Sequence, residues 1–249
     1  MPQVKIFFKR RCFIPDAYAL CTLTPPIASA LIHEALGHMA ESDLILPNYP
    51  KTPLIYMPPL SHKITVVDYA HTAFGCSVPM PVYVDDEGTT AIDVPIITSG
   101  LVTGAMSNKL AYTKLNWPLT GNARAAGSNC KPLVRMRNTA LHPWYDCPAQ
   151  MLASIKNGYY LVDASEVSGD VNGDFAARVS EGYYVRNGVI CERLKDCVIY
   201  GNSTHFLLSI SMVGYDFEWF VDECTKMRQT VRLASGAPSI RAWLNVGVL

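Results

Sequence analysis

Short runs of apolar and β-branched residues, separated by turn residues, recur along most of the chain and predict strands. The first two are Val4 to Phe8 and Tyr18 to Leu23. The period then changes. Thr24 stands where a helix cap is needed, and Pro25 and Pro26 occupy a first turn in which a missing N–H costs nothing. Ile27 to Glu41 continues with no breaker except Gly37. Prolines gather between Asn48 and Leu60 and predict an extended surface loop. Strands follow at Ile64 to Val67, Val82 to Val84, Thr90 to Thr98 and Leu101 to Met106, with hairpin turns at Asp85-Asp86-Glu87-Gly88 and Ser99-Gly100. Helices are expected at Asn108 to Leu115 and Pro148 to Lys156. The remainder reads as strands at Tyr159 to Asp163, Phe175 to Arg186, Val189 to Cys191 and Val198 to Tyr200, a helix from Thr204 to Met212, and a closing strand from Ser239 to Val248. The expectation is an α+β fold dominated by a large, mainly antiparallel sheet, because hairpin turns rather than helical crossovers join neighbouring strands. Periodicity leaves open whether the sheet closes into a barrel.

Composition narrows this picture. The chain has 249 residues, 49% of them hydrophobic and 17% charged, enough to bury a sizeable core. Lys plus Arg and Asp plus Glu both number 21, so no global field draws in nucleic acid or an anionic membrane. The basic cluster Lys9, Arg10, Arg11 follows Ile6, Phe7 and Phe8, the reverse of a signal peptide, and no run approaches the roughly 18 apolar residues of a membrane span. A cytoplasmic location is expected. Eight cysteines occur without any CxxC pair, so a metal-binding cysteine must act with ligands remote in sequence.

The predicted helix contains His33-Glu34-Ala35-Leu36-Gly37-His38, an H-E-x-x-x-H motif. Two imidazoles and a carboxylate sit in an otherwise apolar segment with no Lys or Arg to compensate them. Burying such groups unpartnered costs several kcal/mol, and a divalent cation would remove that cost. The familiar zinc-protease motif places its histidines at i and i+4, about 40° apart on a regular helix. A separation of i+5 puts them about 140° apart, too divergent for one ion. A π-type bulge or a helix terminus near Gly37 is therefore required if they share a metal. The bland alternative is a core helix with a satisfied His33, a solvated Glu34 and an incidental His38.

These residues resemble the TldD/PmbA metalloprotease family, also known as modulators of DNA gyrase, in which H-E-x-x-x-H is the signature. Glu41 and Asp43 follow the second histidine as in that family, and Val84-Asp85-Asp86-Glu87-Gly88 resembles its acidic hairpin. Further similar segments run colinearly: Asn108-Lys109-Leu110, Thr120-Gly121-Asn122-Ala123-Arg124, Arg135-Met136-Arg137-Asn138-Thr139 and Ile210-Ser211-Met212-Val213-Gly214. The closing segment Gln229-Thr230-Val231-Arg232 and Gly236-Ala237-Pro238-Ser239-Ile240-Arg241 matches as well. Five residues before that glutamine the family carries its third zinc ligand, which the resemblance transfers to Cys224. Two imidazoles and a thiolate leave a fourth tetrahedral position for water. The resemblance covers roughly Tyr18 to Val248 and corresponds to the family's C-terminal half. It implies a single catalytic domain over 1–249, with 1–17 as an extension and the usual N-terminal domain absent. Thr225 stands where a glycine usually follows the cysteine, and the glycine-rich stretch before Phe175 is altered.

The implied site is one Zn2+ per chain held by His33, His38 and Cys224, with Glu34 as general base. The expected function is hydrolysis of peptide bonds in unfolded or small peptides, within a homodimer or a heterodimer with a related subunit. One alternative is a zinc-dependent amide hydrolase tailoring a small molecule or modified peptide. Another is a non-catalytic partner subunit of a two-subunit peptidase. Cys12, Cys21, Cys76, Cys130, Cys147, Cys191 and Cys197 are expected to be core residues. His62, His71, His142 and His205 are expected to be structural or surface groups, with His71 and His142 in loops that could reach a cleft.

Overall fold

In the computed structural model the described residues are 11–12, 17–44, 53–170 and 172–248. The strand expected at Val4 to Phe8, the side chain of Cys12 and the Asn48 end of the proline-rich segment lie outside them. The first long strand is β1 (Ala17–Leu23), followed by helix α1 (Pro25–Ile32). Thr24 has extended backbone but does not cap the helix with its side chain, because its Oγ1 donates to the Val162 carbonyl instead (2.5 Å). The prolines at the first two positions start the helix. The middle of the chain supplies β2 (Val66–Asp68), β3 (Val94–Thr98), β4 (Leu101–Val102), α2 (Lys109–Leu115), β5 (Asn138–Leu141) and α3 (Pro148–Ala153). Asn108 caps α2 by accepting from the Ala111 N–H (3.0 Å). The last third supplies β6 (Asn157–Gly169), β7 (Asp174–Arg186), β8 (Val189–Leu194), β9 (Cys197–Asn202), α4 (Ser203–Ser209), β10 (Glu218–Lys226), β11 (Gln229–Ala237) and β12 (Ile240–Val248).

Five strands close on themselves in the order β7–β6–β1–β12–β9 and back to β7. All these pairings are antiparallel except β6 with β1. The barrel-like closure removes free edges over most of the ring. A second sheet runs β10–β11–β5–β2–β3–β4, with only the β5–β11 pair parallel. The apolar helix α1 packs between β6 of the barrel and β11 of the second sheet, and its buried Ile27, Leu31 and Ile32 join both to one core. Among the described residues no helix is long and apolar enough to cross a membrane.

The α+β fold with a mainly antiparallel, barrel-like sheet and an N-terminal metal-motif helix is as expected, while several boundaries move. Val82 to Val84 forms only a bridge from Val84 to Thr90 around the acidic turn. The segments at Thr90 to Thr98 and Leu101 to Met106 shorten to β3 and β4, joined by Ser99 and Gly100 at φ 47° and 83°. The helix at Thr204 to Met212 ends at Ser209, and Met212–Val213 pairs with β12. The proline-rich segment is not wholly superficial, since Leu54 is buried. β5, β10 and β11 are absent from the sequence-based reading. The β10–β11 turn uses Met227 and Arg228 in the left-handed region, φ 48° and 63°, where glycine or asparagine is the usual signal. Of the expected core cysteines whose side chains are described, Cys21 and Cys197 are buried, whereas Cys76 is exposed and Cys130, Cys147 and Cys191 are partly so. Cys130 lies in a bend, Cys147 at the N-cap of α3, Cys76 in a two-residue hairpin strand and Cys191 in β8, none of them within the apolar core.

Candidate metal centre

Helix α1 loses regular α geometry at the motif. His33 to Gly37 form a π turn, His38 to Ala40 form a 3-10 turn, and the chain leaves extended at Glu41. The His38 N–H donates to the His33 carbonyl, an i+5 to i hydrogen bond. That bond inserts one extra residue in the turn and brings the two imidazoles to one face. Their ring centroids are 4.9 Å apart at an interplanar angle of 85°. The distortion required by the i+5 spacing is therefore present. Gly37 itself has ordinary right-handed backbone (φ −55°, ψ −50°), so its freedom at positive φ is not used. Glycine is needed there for space, because a Cβ would overlap Sδ of the buried Met136.

Cys224 arrives from β10. Its Sγ lies 3.4 Å from His38 Nε2, and one ligand atom from each of His33, His38 and Cys224 falls within 4.8 Å of the others. Zinc bonds of about 2.05 Å to nitrogen and 2.3 Å to sulfur in tetrahedral geometry give an N···S edge of about 3.6 Å. The donor set and the spacing fit such an ion. The Glu34 carboxylate stands beside the cluster, Oε1 3.8 Å from His33 Nε2 and Oε2 3.8 Å from His38 Nε2. The bland alternative of a solvated Glu34 and an incidental His38 does not describe this arrangement.

Burial, reinforced by the nearby His38, pushes the His33 pKa down to about 3, which keeps it a neutral imidazole. Burial also opposes charge on His38, but the Glu41 carboxylate and a Cys224 hydrogen bond outweigh it and raise the pKa to about 10. Burial resists ionisation of Glu41 in turn, and Lys226 with His38 overcomes it, holding Glu41 at about 2. Burial raises Glu34 above the usual carboxylate range, an effect moderated by His38 and by the Gly169 N–H. The cluster opens on a cleft of about 570 Å³ between the end of β6 and β10. Register shifts between Leu161 and Ser168 distort the end of β6 there, with Glu166 in the left-handed region (φ 51°).

Sequence reasoning named His33, Glu34, His38 and Cys224, and the fold brings all four together. It did not assign the supporting groups Lys226, Arg135 and Gly169. Lys226 shares the face of Cys224 at two residues' distance on a strand, a signal readable only once β10 is recognised. His71 stacks on Tyr83, and His142 bonds with the Tyr69 hydroxyl (2.6 Å), so neither lines the cleft. Asn122 donates to Asp68 and to the Arg135 carbonyl, and Arg124 donates to the Met136 and Arg232 carbonyls, which makes their turn structural.

A two-histidine, one-cysteine donor set with a carboxylate on a π-distorted helix is the candidate centre of a metallopeptidase. The profile of the PmbA/TldA metallopeptidase C-terminal domain matches residues 19–246, and the chain belongs to that family. It is 34% identical over 225 residues to a zinc metalloprotease TldD homolog of Saccharolobus solfataricus, covering 88% of this chain and 49% of that one. It is 32% identical over 227 residues to a metalloprotease of Methanocaldococcus jannaschii, covering 88% and 48%. The fold matches TldE from Thermococcus kodakarensis with a TM-score of 0.74 at 16% identity, covering 96% of this chain and 52% of that one. The chain spans about half the length of the curated relatives it matches.

Proposed function

We propose that this chain hydrolyses peptide bonds of unfolded or small peptides as a zinc-dependent peptidase, with His33, His38 and Cys224 as ligands and Glu34 as general base. The observation that carries the reading is the meeting of Cys224 with a distorted H-E-x-x-x-H turn, 186 residues away in sequence from His38. When bound, the zinc supplies a Lewis acid that polarises the scissile carbonyl and acidifies water. Glu34, beside both imidazoles, takes the proton of the attacking water and delivers it to the leaving amine nitrogen. The Gly169 N–H steers that carboxylate, and the cleft between β6 and β10 receives the substrate chain. The domain reading is a single catalytic unit over 1–249. The fold shared with TldE and the similarity to TldD homologues support pairing with a second copy or a related subunit. Free cysteines at Cys21, Cys76, Cys130, Cys147, Cys191, Cys197 and Cys224 support a reducing, cytoplasmic setting.

Metal analysis beside a peptidase assay tests the proposal. Wild type is expected to hold one zinc per chain and to cleave unstructured peptides. Glu34→Gln should keep the zinc and lose on the order of 10²–10⁴-fold in turnover. Full activity in Glu34→Gln would refute the general-base role, and a metal-free wild type that still cleaves would refute the whole scheme.

A further inference from the structure

Behind the ligands lies a buried charge cluster that the hydrolytic scheme does not use. Glu41 is fully buried, Arg135 nearly so, and the Lys226 side chain is 9% exposed. A lysine is rarely so enclosed unless paired. Its ammonium has three acceptors: Glu41 Oε2 at 2.9 Å, Asp43 Oδ1 at 2.6 Å and the Val134 carbonyl at 3.0 Å. Glu41 Oε2 accepts a second bond from His38 Nδ1–H at 3.1 Å, which turns Nε2 of that ring toward Cys224 Sγ. Arg135 approaches the same carboxylate, Nε to Oε1 3.9 Å, and donates from its other end to the carbonyl of Cys224 itself (2.6 Å).

We propose that Lys226 and Glu41 are positioning residues for the metal centre: Glu41 fixes the tautomer and orientation of His38, and Lys226 ties that carboxylate to the strand that carries Cys224. The inference rests on the proposed metal site. The physical need is plain, since His38 and Cys224 come from different layers of the fold and no covalent link sets their separation. Lys226 follows Cys224 by two residues on β10, so the grip of its ammonium on Glu41 and Asp43 pins strand to turn within one residue pair of the thiol. Partners behind a ligating histidine typically contribute 10–100-fold to metal affinity.

The test measures zinc affinity by chelator competition and the cobalt-substituted absorption spectrum for wild type, Glu41→Gln, Lys226→Arg and Lys226→Met. Lys226→Met leaves two buried carboxylates without their cation, so the neutralised pair Glu41→Gln/Lys226→Met, which keeps the charge balance and leaves only Asp43 without the ammonium, is measured beside it. Leu244→Ala, in the barrel at β12, serves as a destabilised control remote from the cleft. Glu41→Gln and the neutralised pair are expected to lose about 10–100-fold in zinc affinity and to weaken the thiolate-to-cobalt band. Lys226→Arg is expected to recover most of the affinity, and Leu244→Ala to leave affinity and spectrum unchanged. Wild-type affinity and spectrum in the neutralised pair would overturn the positioning role while leaving the metal site standing. Equal loss in Leu244→Ala would show mere destabilisation and also overturn it. A wild type that binds neither zinc nor cobalt would overturn both readings.

Discussion

Replacing Gly37 by alanine probes how the motif helix is bent. The backbone at Gly37 is right-handed, so alanine is conformationally allowed, and in a helix interior it returns up to about 1 kcal/mol relative to glycine. Against that, the new Cβ would overlap Met136 Sδ and lie 3.0 Å from its Cε, and Met136 is fully buried. Forcing a methyl into a packed core costs about 1–3 kcal/mol. The net destabilisation is expected to be about 1–2 kcal/mol, or about 2–8 °C in Tm for a chain of this size. Met136→Ala alone removes a buried side chain and should cost about 2–5 kcal/mol. In the double variant the methyl fills part of the vacated space, so the combined cost should fall short of the sum by at least about 1 kcal/mol. Urea and thermal denaturation of the four metal-free proteins measure this coupling. Additivity within about 0.5 kcal/mol would refute the claim that Gly37 is there for Met136. Because the same turn carries both histidines, Gly37→Ala should also weaken zinc binding, and the double variant should restore part of it.

Cys224→Ser should lower zinc affinity by more than about 100-fold, beyond the loss typical of an outer-shell partner, and unchanged zinc content would detach Cys224 from the site. At Gly169 a Cβ would stand 3.2 Å from Glu34 Oε2 and 3.1 Å from its carbonyl oxygen, so Gly169→Ala should shift the carboxylate. Turnover is expected to fall on the order of tenfold with zinc content intact, and normal kcat would remove Gly169 from the positioning of the base. Burial pulls Asp146 upward in pKa, but its bonds to Lys63 Nζ (2.7 and 3.0 Å) and the Val213 N–H (2.9 Å) outweigh that and hold it below the usual range. A depressed folded pKa stabilises above the unfolded value of about 3.9 and ceases to as pH falls through the folded value. Asp146→Asn should therefore cost about 0.5–1 kcal/mol at pH 7, a deficit that shrinks as pH falls below the unfolded value of about 3.9 and is gone once the folded carboxylate is protonated, and a deficit independent of pH would contradict the ion-pair account.

Much of the site was legible because its logic is local. The Pro25-Pro26 start, the apolar run and the two histidines lie within fifteen residues, and the i+5 spacing of a shared metal pair called for a π bulge or a helix end near Gly37, of which the structure contains the π turn. Cys224 was reached by resemblance to a family and not by the pattern around it. The strand that carries it escaped notice because its turn, Met227 and Arg228, lacks the residues that usually mark left-handed backbone.

The sequence by itself determined the alternation of strands and helices, the mainly antiparallel character, the neutral charge balance and the need for a bent motif helix. The elements and their antiparallel pairing follow from local backbone preferences and hydrophobic periods, the charge balance from composition, and the bend from the angular spacing of two residues on one helix. Only the tertiary structure decided that five strands close into a barrel, which cysteines are buried, and that Met136 is what makes Gly37 glycine. It also decided that Lys226 faces Glu41 across 185 residues. Burial and charge pairing are properties of surfaces brought together from distant segments, and no local pattern in either segment carries the identity of its partner.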